Sequence, residues 1–105
     1  MTQEQKMNQK CGLRPGQIVR SKAGRDQAGV FLVLEILDAK HVTIVDGHSH
    51  KLSNPKKKRV IHLQPFRAIV EDFETMKAER TFNDARIRKI IEPYKVTEEE
   101  ANHVD

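Results

Sequence analysis

The run VFLVLEIL, residues 30–37, constrains the fold of this chain more than any other segment. Alternate residues of a β-strand point to opposite faces. One face of this run starts at Val30 and the other at Phe31, and both faces are largely apolar. Such a strand needs cover on both sides, so the chain must supply a second layer of structure. Because 37% of the residues are hydrophobic and Trp is absent, the core must be built mainly from Val, Ile and Leu.

Four further segments are short, strand-like and bounded by turn residues: 17–22 (QIVRSK), 41–45 (HVTIV), 49–53 (SHKLS) and 56–63 (KKKRVIHL). Asp46-Gly47 is a strong hairpin signal, because glycine accepts a positive φ without steric cost. Pro65 is expected to end the β region. Five short strands within about fifty residues predict a small barrel that closes or nearly closes on itself.

Two amphipathic helices are predicted after the strands. Apolar residues recur at helical spacing over 66–76 and again over 87–94. Asn83 is a candidate N-cap for the second helix, and Pro93 is expected to fray or end it. We expect both helices to pack on the face of the 30–37 strand that starts at Phe31. A separate helical partner protein is the alternative cover.

The chain of 105 residues has the length of one small domain, of a class predicted to be mainly β with C-terminal α. The predicted parts are a flexible arm at 1–13, the barrel at 14–65, a helical extension at 66–94 and an acidic disordered tail at 95–105. No run approaches the roughly 20 apolar residues of a membrane span, and the N-terminus lacks the apolar centre of a signal peptide. We therefore expect a cytoplasmic protein. Its single cysteine, Cys11, cannot form an internal disulfide.

The net charge of +4 is unevenly distributed along the chain. Residues 16–67 carry ten Lys and Arg against four Asp and Glu, whereas residues 68–105 carry six against ten. A basic middle followed by an acidic tail suggests that the central domain meets a polyanion. An ordinary solvated surface is the alternative interpretation.

The stretch PGQIVRSKAGRDQAGVFLVLEILD, residues 15–38, resembles the KOW motif of ribosomal proteins and transcription elongation factors. Gly24 matches the near-invariant glycine of that motif. The stretch VDGHSHKLSNPKKKRVIHLQ, residues 45–64, is similar to the second half of small bacterial KOW-domain RNA-binding proteins. These proteins are grouped with a eukaryotic and archaeal type of large-subunit ribosomal protein. The resemblance covers about residues 14–66.

The resemblance implies an SH3-like barrel that binds RNA, most of all ribosomal RNA. Its loop supplies Gly24 with the basic residues Arg20, Lys22 and Arg25, and glycines let backbone N–H groups approach phosphate oxygens closely. The motif often has a Lys-Gly pair after the first loop, where this chain has Gln27 and Ala28 before Gly29. The loop therefore lacks one positive charge of the family pattern.

Lys56, Lys57, Lys58 and Arg59 form the densest positive site, and Lys51 precedes them. Four adjacent like charges repel one another, so the run favours an anionic partner such as nucleic-acid phosphate. The alternatives are a solvated edge that prevents aggregation, a nuclear-import signal and anionic lipid. The sequence has no zinc-finger spacing, basic zipper or helix-turn-helix signature, which favours RNA recognised by charge and shape over DNA.

Catalytic and metal-binding patterns are weak in this sequence. His48 and His50 would share a face if they lay on a strand, but the Cys pairs and helical spacing of strong metal sites are missing. There is also no nucleophile elbow, and no phosphate loop of the Walker type. The sequence therefore predicts a non-enzymatic RNA-binding protein without a cofactor or small-molecule substrate, in contact with ribosomal RNA and ribosomal proteins. The alternative is a KOW protein-interaction adaptor in transcription elongation or ribosome assembly.

Overall fold

The computed structural model of the protein describes residues 12–22, 24 and 29–95. In chain order its elements are β1 (Gln17–Ser21), β2 (Val30–Ile36), β3 (His41–Val45), β4 (Lys56–Arg59), a 3₁₀ turn (Val60–His62), β5 (Leu63–Ile69), α1 (Phe73–Lys77) and α2 (Asp84–Lys95). The predictions for Cys11, Arg25, the arm up to residue 11 and the tail from residue 96 lie outside the described residues.

The five strands form one antiparallel sheet in the order β4-β3-β2-β1-β5. The predicted class, mainly β with two C-terminal helices, is confirmed. The sheet is open in its hydrogen bonding, with β4 and β5 as its two edges. Within the described part of the chain, neither helix has the length and apolar character needed to cross a membrane.

The two helices cover one face of the sheet. The buried members of this helix-side cluster are Ile18, Val30, Leu32, Val45, Phe73, Ile87 and Ile91. Ile87 and Ile91 are one helical turn apart and fully buried, so a single stripe of α2 faces the strands. Burying each such side chain stabilises the fold by about 1.5–3 kcal/mol. The prediction that helices cover one face of β2 is confirmed.

The opposite face carries a second cluster to which no described helix residue contributes. Its buried members, all 0 to 4% exposed, are Leu13, Val19, Phe31, Val33, Val42, Ile44 and Leu63. These residues come from β1, β2, β3, β5 and the segment before β1. Among the described residues, Ile36 and Val60 also pack against this cluster. Leu13, predicted as the end of a mobile arm, is part of this helix-free cluster.

The helices cover the other face of β2 from the one predicted. They lie against the side of Val30 and Leu32, whereas Phe31 and Val33 belong to the helix-free cluster. The pairing of β2 with β3 shifts register after Val33, which marks a β-bulge. Since the side-chain period of a strand is two, one extra residue reverses its phase, and alternation alone cannot assign the faces along the whole strand.

Three predicted elements are wrong. The strand predicted over 56–63 is interrupted by the 3₁₀ turn Val60–His62, so its two ends belong to β4 and β5. Residues 49–53 form bends and a turn instead of a strand, and β5 continues past Pro65 to Ile69, where a helix was predicted. Pro65 is tolerated because β5 is an edge strand. Phe66, Ala68 and Val70 pack in the helix-side cluster at the two-residue period of a strand. The apolar residues of 66–70, counted together with those of α1, also recur at the spacing of a helix, which explains the wrong prediction.

The start of α2 is as predicted. The Asn83 side-chain oxygen accepts a hydrogen bond of 2.9 Å from the backbone N–H of Arg86, which is the geometry of an N-cap. Its predicted end is wrong, because the helix runs through Pro93 to Lys95. A proline in the last turn removes one backbone hydrogen bond without ending the helix.

Candidate nucleic-acid interface

The basic run lies on β4, at one edge of the sheet. Lys56, Lys57 and Arg59 are exposed and Lys58 is half-buried. Lys58 pairs with Val42 of β3, which belongs to the helix-free cluster. Paired residues share a face of the sheet, so Lys56 and Lys58 lie on the helix-free side and the other two cations on the opposite side. The run thus presents charge on both sides of one edge.

The backbone of β4 adds hydrogen-bond donors to this edge. At the end of the β3–β4 ladder, the N–H of Val60 donates to the carbonyl of Lys40 at 2.8 Å. Because bonded and non-bonded residues alternate in an antiparallel pair, the bonded residues of β4 are the even-numbered ones. The N–H groups of Lys57 and Arg59 therefore point away from β3, toward the open edge.

Lys58 of the basic run lies close to Gly24, which follows β1 in the chain. Gly24 has a φ of +78°, and a Cβ built at that position would lie 3.7 Å from Lys58 Nζ. The ammonium group is therefore at van der Waals distance from this backbone position. The glycine of the KOW-like motif and the basic run, far apart in sequence, meet at one end of the sheet.

Lys22 is connected to the same region through the 3₁₀ turn. Its backbone N–H donates to the carbonyl of His62 at 2.7 Å, and its side chain is exposed. The turn leads directly from Arg59 into β5. We call Lys22, Gly24 and residues 56–59 the basic edge.

Two predicted site residues lie apart from the basic edge. Arg20 is on the helix-side face of β1, where its guanidinium carbon is 5.5 Å from the centre of the Phe66 ring. This cation–π contact stabilises the fold and directs the charge away from Lys58. Lys51 is exposed in the loop between β3 and β4, and that loop is bonded to α2 through Leu52.

Lys40 and His41, in the hairpin between β2 and β3, are basic residues beside β4 that sequence reasoning missed. His41 pairs with Arg59 across the two strands. The acidic side chain of Asp38 organises this hairpin, accepting hydrogen bonds of 2.8 Å from the backbone N–H groups of both residues. The turn residues predicted a hairpin. The local sequence does not show that this hairpin lies beside β4, because that depends on the pairing of β3 with β4.

The contribution of this hairpin to stability depends on pH through Asp38. The backbone hydrogen bond from Lys40, followed by the side-chain hydrogen bond with His41, lowers the pKa of Asp38 below its ordinary value of 3.8. The carboxylate and the His41 Nδ1 atom are 3.0 Å apart. A lowered pKa in the folded state means that ionised Asp38 favours folding above its unfolded pKa, and that this stabilisation is lost as the pH falls through the folded pKa.

We expect Asp38→Asn to be slightly less stable than the wild type at neutral pH, because the amide keeps an acceptor but loses the charge. The difference in free energy of unfolding should shrink as the pH falls below about 4. Denaturant unfolding of both proteins over a pH series measures this difference. A difference that stays constant with pH would mean that the carboxylate charge has no role in the hairpin.

The histidines predicted as a weak metal pair lie in a loop, not on a strand. Asp46 Oδ1 accepts hydrogen bonds of 2.8 Å from the backbone N–H groups of both His48 and His50, and this loop structure replaces the predicted hairpin return. His50 packs against the Phe31 ring at 5.8 Å between ring centres, while His48 is exposed. Among the described residues, no three His, Cys, Asp or Glu side chains are grouped so as to hold a metal ion.

The basic edge combines exposed ammonium and guanidinium groups, outward backbone N–H donors and a glycine that permits close approach. These groups are suited to phosphate oxygens, which accept hydrogen bonds and carry negative charge. A scan against protein-family models and a search of curated proteins each found no match to this chain.

Proposed function

We propose that this protein is a non-enzymatic RNA-binding protein that contacts ribosomal RNA through the basic edge and works in association with the ribosome. The observation that carries the proposal is the approach of Lys58 to Gly24. Both groups were assigned to RNA binding from separate parts of the sequence, and their proximity makes a single continuous surface for a phosphate backbone.

The fold supports the same proposal. The strand order places β5 beside β1, and a 3₁₀ turn separates β4 from β5. The helix-free cluster draws buried residues from four strands. These features favour a small, strongly curved sheet of the SH3-like kind that the KOW resemblance implies.

This surface is better suited to recognising the shape of an RNA than to reading its base sequence. The aromatic rings near the sheet are occupied within the fold, since Phe66 stacks on Tyr94 at 5.4 Å and Phe31 is buried. Contacts to the phosphate backbone then supply most of the affinity, and sequence is read weakly. Structured RNA offers the dense, fixed phosphate array that such an edge can follow.

The adaptor alternative loses much of its support. It rested on the protein contacts of other KOW domains, on the apolar helices and on the acidic tail. Of these, the apolar stripe of α2 is packed against the sheet, with Ile87 and Ile91 fully buried. The outward side of α2 is polar, with Arg88, Lys89 and Glu92 exposed. A partner protein would have to use another surface.

Binding of the purified protein to a labelled stem-loop RNA, followed by fluorescence anisotropy over a series of salt concentrations, tests the proposal. If the five cations of the basic edge each neutralise one phosphate, the logarithm of the association constant should fall against the logarithm of salt with a slope of about −4. Polyglutamate of similar charge serves as the control polyanion and should bind far more weakly. Absence of RNA binding at low salt would overturn the proposal.

A further inference from the structure

Ile61 is the most exposed large hydrophobic side chain among the described residues. It is 65% exposed, compared with 44% for Leu37 and 40% for Ile69. It occupies the middle of the 3₁₀ turn, whose flanking residue Val60 packs against the helix-free cluster. In this turn the Val60 side chain is therefore packed against the core, and the next side chain, that of Ile61, is exposed to solvent.

The backbone of this turn is fixed on both sides of Ile61. Val60 donates to the carbonyl of Lys40 at 2.8 Å, and the carbonyl of His62 accepts from Lys22 at 2.7 Å. The Leu63 N–H closes the turn by donating to Val60. The backbone at Ile61 is thus preorganised, which avoids the cost of ordering the turn on binding.

The backbone next to this apolar tip belongs to basic residues. The two backbone partners of the turn belong to Lys22 and Lys40, both with exposed side chains, and Arg59 immediately precedes the turn. The nearby acid, Asp38, already accepts two hydrogen bonds from the hairpin backbone and contacts His41. A single exposed isoleucine is common on protein surfaces. An exposed isoleucine on a turn whose backbone neighbours are three basic residues suits a ligand that combines an apolar surface with anionic groups.

An unstacked nucleotide has this composition, with an apolar base face next to phosphate groups. We propose that Ile61 packs against an unpaired base at a bulge or loop of the bound RNA, while Lys22, Lys40 and Arg59 contact the flanking phosphates. Aliphatic side chains are known to lie against base steps in nucleic-acid complexes as apolar wedges. This inference rests on the proposed function and names the RNA feature that the basic edge prefers, since RNA-binding proteins commonly recognise bases that are already unstacked.

Two RNA stem-loops test the inference, identical except for one bulged nucleotide in the stem. We expect the wild type to bind the bulged RNA more tightly, and Ile61→Ala to lose roughly fivefold in affinity for it, an estimate from partial burial of one isoleucine. The variant should bind the unbulged RNA nearly as well as the wild type. Ile69→Ala, at the far end of β5, removes a comparable exposed side chain and should keep the preference.

The outcomes separate this inference from the proposed function. If the wild type binds both RNAs equally, or if Ile61→Ala keeps the preference, the base contact is wrong although RNA binding stands. If the wild type binds neither RNA, both proposals fail. If Ile61→Ala leaves both affinities unchanged but removes the protein from ribosomal fractions of cell extracts, the tip contacts a protein, and the inference is overturned.

Discussion

Replacing Lys56, Lys57, Lys58 and Arg59 together by Ala should weaken binding to structured RNA roughly 30-fold or more at low salt, taking at least about 0.5 kcal/mol for each exposed charge pair. The salt slope should become shallower by about 3, since each lost phosphate contact removes roughly 0.7 to 0.9. The fold should persist, because β4 is an edge strand whose basic side chains are exposed or half-buried. Anisotropy titrations and denaturant unfolding of the same preparations measure both effects.

A matched variant separates local charge from total charge. Replacing four exposed cations outside the basic edge by Ala lowers the net charge of +4 by the same amount; these are Arg67, Arg80, Lys89 and Lys95. This control should lose far less affinity, and its slope should change little. Equal losses of affinity in the two variants would mean that RNA binding depends only on the net charge of the protein. The basic edge would then not be a distinct site.

Replacing Gly47 by Ala should destabilise the protein by about 3 kcal/mol, the largest effect that we expect from a single methyl group. Gly47 has a φ of +73°, and a Cβ there would overlap the backbone carbonyl oxygen of Asp84 and lie 2.9 Å from Arg88 Cγ. Backbone atoms at the start of α2 cannot move aside cheaply. The substitution should also disturb the hydrogen bond of 2.6 Å that Arg88 donates to the Gly47 carbonyl.

Gly12→Ala is the matched control for the backbone cost. Gly12 has a similar φ of +76°, but no heavy atom lies within 4 Å of the position that its Cβ would take. This variant should lose only about 1 kcal/mol, the cost of the left-handed conformation. Denaturant unfolding of both variants gives the comparison. Similar losses would show that the close packing of the loop on α2 contributes nothing to stability.

Sequence reasoning predicted the elements that carry strong local signals. The short apolar run between turn residues predicted β2, and the helical spacing after Asn83 predicted α2. Both elements form, although the helices cover the other face of β2 and α2 extends beyond its predicted end. The strand β5 was misread as a helix because its apolar residues, continued into α1, match both periods. The bulge in β2 was not predictable either, since a local pattern does not reveal the register of its partner strand.

The sequence predicted most residues of the candidate site but not their positions relative to one another. A run of four cations and a loop glycine are visible in the sequence, but their proximity depends on the tertiary structure. Alternation would place Arg20 and Lys22 on one face, but β1 ends at Ser21, so only Arg20 follows the strand and lies over the Phe66 ring on the helix side. Ile61 gave no signal, because an apolar residue after a basic strand reads as core.

Contact between the protein and ribosomal RNA can be measured by crosslinking in living cells, with sequencing of the attached RNA and sucrose-gradient fractionation in parallel. We expect ribosomal RNA reads concentrated at one position, with the protein in large-subunit fractions. Few RNA crosslinks, with the protein at the top of the gradient, would rule out ribosomal RNA as the ligand of the basic edge and favour a protein partner.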